Sequence, residues 1–67
     1  MMFGELLRLA REKAGLSRGE LRLRILRFYP TSPSINAIRD LEQGRKVSPQ
    51  PRNRLKYLRI FPDLPPK

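Results

Sequence analysis

Residues 31–44, Thr-Ser-Pro-Ser-Ile-Asn-Ala-Ile-Arg-Asp-Leu-Glu-Gln-Gly, carry the start, both faces and the stop of one short helix, and the other segments must fold so as to cover its apolar side. Ser32 with Pro33 offers an N-cap and a first-turn proline, and Ser34 offers a second cap shortly after. Gly44 can take the left-handed conformation that follows a last turn, so the pattern predicts a helix over 33–43. At about 100° per residue, Ile35, Ile38, Leu41 and Glu42 fall on one side and Asn36, Arg39, Asp40 and Gln43 on the other. The first side packs. The second carries Asn and Arg, the side chains whose geometry best fits adenine and guanine edges in a major groove. A helix that reads base edges is the expectation from that face, although an ordinary solvated face would have the same composition.

A chain of 67 residues allows one small domain. Such a domain buries only about 60% of its unfolded surface, so its stability is marginal unless something supplements the core. With no Cys there is no disulfide to do so, and with no His the commonest general base and most zinc ligand sets are missing as well. The acids Glu5, Glu12, Glu20, Asp40, Glu42 and Asp63 form no paired or metal-spaced cluster in the sequence, and no glycine-rich phosphate loop is present. The chain is therefore expected to be no enzyme and to hold no metal, cofactor or small-molecule substrate. Fifteen Lys and Arg against six acids give a net charge of +9, which favours a polyanionic partner and first of all nucleic acid. No apolar run approaches the roughly 18 residues that span a bilayer, and Met1-Met2-Phe3 leads into an amphipathic pattern rather than a leader peptide. A cytoplasmic protein with no membrane partner is expected.

Along the chain, Phe3, Leu7, Ala10 and Ala14 mark the core stripe of a first helix over residues 2–14, ending at Gly15. Met2, Leu6 and Leu9 widen its apolar arc beyond the usual ~100° and leave apolar surface for a further partner. Ser17 followed by Glu20 forms the two ends of a capping box and opens a second helix, with Leu21, Ile25 and Phe28 at helical spacing. Pro30 ends it, because proline disfavours helical geometry in Tyr29 and has no amide to donate. Ser48-Pro49 repeats the cap and first-turn pattern, and Leu55, Leu58 and Phe61 mark a fourth helix stopped by Pro62. This gives a domain over 1–61 and a Pro-rich tail over 62–67, extended and pinned by Phe61 and Leu64.

Phe3-Gly4, Leu7, Arg11, Gly15-Leu16-Ser17, Glu20-Leu21, Ile38, Leu41-Glu42 and Gly44 together resemble the pattern of the Cro-type (XRE-like, lambda-repressor-like) helix-turn-helix DNA-binding family, over residues 3–61. The resemblance implies an all-α fold, a small four-helix domain of lambda-repressor-like type lacking a full fifth helix. It implies sequence-specific binding of double-stranded DNA by a repressor-like transcriptional regulator, with the third helix in the major groove. Ile35, Asn36, Ala37, Arg39 and Asp40 match the groove-facing set; Ile35 belongs with the core by periodicity, and Asp40 could accept from cytosine or orient a nearby Arg. Ser17 and Arg18 would lie over a backbone phosphate at the amides that open helix two. Gln43, Arg45, Lys46 and Arg52 would hold the backbone on the other side.

Three departures limit the match. The stretch from Leu21 to Ile38 is longer than in the compact motif, so the 26–33 connection must absorb extra residues. Arg22 stands where the family has a small residue and is expected to turn its guanidinium outward. The chain also lacks a full fifth helix, so the tail or a second subunit should cover the gap. A homodimer through Met2, Leu6 and Leu9, or through helix four, is the expected assembly on a two-fold site. The alternative is a protein-binding module of the same fold, using Leu6 and Leu9 to hold a toxin, a polymerase or another regulator. Binding of nucleic acid by charge alone is a third reading, and would fall steeply with salt. Glu42 on the packing side needs a partner, and Arg11, at the edge of the first stripe, is paired with it in the family pattern.

Overall fold

Helix α1 (Phe3–Lys13) ends because Gly15 is free to adopt φ +73, which turns the chain sharply enough for two terminal carbonyls to find donors. Gly15 N–H donates to the Glu12 carbonyl and Leu16 N–H to that of Arg11, the paired bonds of a Schellman stop. Residues 2–65 are described by this computed structural model, and among them the chain is all-helical: α1 is followed by α2 (Arg18–Leu26), α3 (Ile35–Glu42) and α4 (Pro51–Ile60), with no strand. None of these helices is long and apolar enough to cross a membrane.

Phe3, Leu7, Leu21, Ile25, Ile38, Leu41, Tyr57 and Leu64 form the core, so all four helices and the segment after α4 contribute to it. The closest approach is between α1 and α3. A Cβ placed on Gly4 would lie 1.9 Å from the Leu41 carbonyl oxygen, so only glycine lets the two backbones meet there. Ser17 and Glu20 close the capping box at the start of α2, with Glu20 N–H on the Ser17 hydroxyl oxygen at 3.1 Å and Ser17 N–H on the Glu20 carboxylate at 2.9 Å.

Several sequence expectations are corrected. Ser34, not Ser32, caps α3, accepting from Ala37 N–H at 3.0 Å, so the helix starts later than the 33–43 reading allowed. Pro33 is buried in the connection before it. At the first position of the shorter helix, Ile35 is 49% exposed rather than in the core. Its neighbour on α2 is Gly19, which has no side chain to cover it. Ala14 becomes the exposed cap of α1, and Phe28 lies beyond the end of α2 and is exposed as well. Arg22, by contrast, is half-buried with none of its guanidinium nitrogens buried without a partner, in keeping with a packed stem and an outward head.

The register of α4 also differs. Its cap is Gln50 and its first residue Pro51, so Leu55 points outward, 64% exposed, while Lys56 and Tyr57 face inward. Lys56 is tolerated there because its Nζ donates to Thr31 Oγ1 at 2.9 Å and lies 5.8 Å from the centre of the Tyr29 ring, which ties the long 26–33 connection to α4. The tail is not simply extended. Leu64 N–H bonds back to the Phe61 carbonyl and its side chain is buried, so the domain continues past residue 61; Pro66 and Lys67 of the predicted tail, and Met1, lie outside the described residues.

Tyr57 meets Phe3 with ring centroids 6.0 Å apart. Burial raises the Tyr57 phenol pKa above its ordinary value of about 10, and the negative charge of Glu42 adds to the shift. The folded state therefore holds this proton more tightly than the unfolded chain does. Its contribution to stability is complete below the unfolded pKa and is lost as pH rises through the folded one. The alkaline unfolding midpoint, followed by far-UV circular dichroism, should accordingly move to higher pH in Tyr57→Phe. An alkaline limb unchanged by the substitution would sink this account.

Candidate nucleic-acid interface

Opposite the packed residues Ile38, Leu41 and Glu42, α3 leaves Asn36 exposed and Ala37, Arg39 and Asp40 partly so. Gly44, at φ +80, makes the same stop as Gly15: its N–H bonds to the Leu41 carbonyl and that of Arg45 to the Asp40 carbonyl. The chain thus turns away at once, leaving Gln43, Arg45 and Lys46 exposed at the end of the helix.

Two flanks frame this face. On one, the start of α2 lies alongside: a Cβ on Gly19 would be 3.7 Å from Ile35 Cδ1, and Arg18 reaches Glu42. On the other, Lys46, Arg52 and Asn53 share a cleft of about 240 Å³ with Ala37 of α3. The start of α2, the outward side of α3 and the start of α4 therefore form one continuous surface containing most of the expected residues.

Their individual roles are less uniform. Asp40 is held by its neighbours, with Arg45 Nη1 donating to Oδ1 at 3.3 Å and Arg39 Nε 4.0 Å from the same oxygen. Its negative charge is thereby offset, and its geometry is that of a group orienting arginines rather than one aimed outward at a base. Arg39 Nε is buried and has no hydrogen-bond partner, while the side chain as a whole keeps 42% of its exposure. An unmet donor of this kind is costly unless something else satisfies it.

Ser17 and Arg18 are more committed than the phosphate reading required. Ser17 gives its amide and hydroxyl oxygen to the capping box, whose backbone and hydroxyl hydrogen bonds from Ser17 hold the Glu20 carboxyl below its ordinary pKa and so keep a negative charge at this helix start. Arg18 Nε donates to Glu42 Oε1 at 3.0 Å, so part of its guanidinium serves the fold.

The pairing of Arg11 with Glu42 is two-pronged: Nε donates to Oε2 at 2.8 Å and Nη2 to Oε1 at 3.0 Å, while Nη1 bonds the Leu16 carbonyl at 2.8 Å. The hydrogen bond to Glu42 raises the Arg11 pKa above its usual value against an opposing effect of burial. Glu42 thus joins α1, α2 and α3 directly beneath the exposed face.

Sequence reasoning missed Gln50 and Asn53, which line the cleft between α3 and α4. The usable signal was the spacing Asn53, Tyr57, Phe61, which places Asn53 on the inward side once Tyr57 rather than Leu55 is taken as the anchor. Among the described residues no group of three or more His, Cys, Asp or Glu is placed to hold a metal ion. The exposed guanidiniums are donors only, and the amides of Asn36 and Gln43 both donate and accept, a set suited to an anionic partner with mixed hydrogen-bonding edges.

Fold and surface together define a small, strongly basic, all-helical protein with an Asn- and Arg-bearing helix face between two other helix starts. Comparison of the chain with family models, curated proteins and solved structures returns no match.

Proposed function

We propose that the chain is a sequence-specific double-stranded DNA-binding protein of the lambda-repressor-like helix-turn-helix type, a transcriptional regulator that inserts α3 into the major groove. The observation that carries this reading is the framing of α3. One side is locked into the core by Ile38, Leu41 and Glu42, the other offers Asn36 and Arg39 to a ligand, and basic residues stand at both flanks. Base edges would accept from the exposed Nη end of Arg39, whereas its buried Nε lies out of their reach. Lys46 and Arg52 would hold one phosphate backbone, and Arg18 with the unengaged amides opening α2 the other.

Two copies would read half-sites one turn of DNA apart, roughly 34 Å. Met2 and Leu9 remain exposed on α1 for that contact, whereas Leu6 packs against the core and shares a groove with Phe61 and Leu64 of its own chain. The α1 interface is therefore narrower than the sequence suggested, and α4 with its exposed Leu55 is the other candidate.

Selection from random duplexes at about 150 mM salt should return a two-fold consensus, because specific contacts survive where counterion release no longer dominates. Asn36→Ala or Arg39→Ala should then relax the preference at one position by roughly 1–3 kcal/mol. Lys46→Ala or Arg52→Ala should weaken cognate and scrambled duplexes alike and lower the salt slope by about one unit. If Arg39→Ala weakens both duplexes equally while Lys46→Ala changes the consensus, the proposed orientation of α3 is wrong.

A further inference from the structure

Charge not used around α3 is concentrated at the far ends of α2 and α4. Arg24, Arg27, Phe28, Arg59 and Ile60 line one shallow cleft there. The Arg59 guanidinium lies 4.6 Å from the centre of the Phe28 ring, and that ring is still 53% exposed. A second cleft shares Arg24 and Arg27 and adds Leu23, which is 61% exposed. None of the three arginines has a carboxylate within ion-pair distance among the described residues. Basic residues in last turns complement the helix dipole. That effect accounts for Arg24 and Arg59, but not for two large apolar side chains left in water between them.

We propose that this surface docks an acidic segment of another protein that carries an aliphatic or aromatic side chain. Three unpaired guanidiniums call for anions, and the exposed Leu23 and Phe28 call for an apolar group set among them. A second copy of this chain does not supply the anions. Glu42 lies buried between Arg11 and Arg18, Asp40 against Arg45 and Glu12 against Arg8, while Glu20 closes its own capping box; only Glu5 and Asp63 remain. A phosphodiester backbone supplies charge but leaves the exposed Leu23 uncovered. Arg27 is about 13 Å along the chain axis from Arg18, and Arg59 about 10 Å along α4 from Arg52, at 1.5 Å per residue. Docking therefore leaves α3 open, and the proposal stands whether or not α3 reads DNA.

The test is fluorescence anisotropy with three labelled probes: a Glu/Asp peptide bearing one Leu and one Phe, the same peptide with both replaced by Ser, and single-stranded oligothymidylate. The first peptide should bind better than the second. Arg27→Ala with Arg59→Ala should weaken it about tenfold or more, as expected for loss of charge-assisted contacts. Phe28→Ser should weaken it severalfold and Lys46→Ala should leave it unchanged. If thermal melts show the double variant to be less folded, Leu23→Ser, which alters only a mostly exposed side chain, gives the same readout. Equal binding of the Ser peptide, tighter oligonucleotide binding that Arg27→Ala with Arg59→Ala abolishes, or parent-like affinity in folded variants would overturn the proposal.

Discussion

Gly4→Ala should be strongly destabilising and move the urea midpoint well below that of the parent. The added methyl would sit 1.9 Å from the Leu41 carbonyl oxygen and 2.7 Å from its carbon, and both belong to the backbone of α3. No side-chain rotation relieves such a contact, so α1 and α3 must move apart and the core between Phe3, Leu7, Ile38 and Leu41 must open. Overpacking of a rigid core costs about 1–3 kcal/mol, and more where backbone has to shift. Alanine recovers at most about 1 kcal/mol through its better helix propensity. Against a total stability of roughly 3–10 kcal/mol for a domain of this length, a net loss of about 3 kcal/mol removes all of the margin at the low end and about a third at the high end. Urea titration monitored by circular dichroism checks it. A midpoint within error of the parent would mean that the helices are not in backbone contact at Gly4.

Glu42→Ala should cost about 3–5 kcal/mol, because the substitution strands two guanidiniums that now share one buried carboxylate. Arg11 Nε and Nη2 and Arg18 Nε all donate to it at 2.8–3.0 Å, and the Glu42 side chain has no exposed surface. Arg11 also holds the Leu16 carbonyl at 2.8 Å, so the turn between α1 and α2 should loosen with it. Glu42→Gln keeps the shape and one acceptor but removes the charge, and should fall between the parent and the alanine variant. Replacing Arg11 and Arg18 by Met together with Glu42→Leu should recover much of the loss, because the penalty comes from unpaired charge rather than from the absence of an ion pair. If the alanine variant alone unfolds with a parent-like urea midpoint, water rather than Glu42 satisfies the arginines.

What could be read directly was local. The Ser17 and Glu20 capping box, the glycine stops at Gly15 and Gly44, and the core stripes through Leu7, Leu21 and Ile38 depend on residues a few positions apart, so spacing alone specifies them. The outward set Asn36, Arg39 and Asp40 follows from the same helical period. Choices between equivalent local signals did not follow. Ser32 and Ser34 are both good caps and α3 takes the later one, whereas α4 passes the Ser48-Pro49 signal and starts at Gln50-Pro51 with no capping side chain. In α4 this accompanies a register that buries Tyr57 against Phe3 and pairs Lys56 with Thr31, at the cost of exposing Leu55. Leu64, expected to pin an extended tail, does reach the core, but through a turn from Phe61 that the sequence did not specify. Arg18, assigned to phosphate, was drawn to Glu42 because one arginine leaves a buried carboxylate with room for a second donor. Periodicity along one segment establishes which residues can face inward together; which of them actually do depends on partners supplied by other helices, and only the tertiary structure brings those partners within reach.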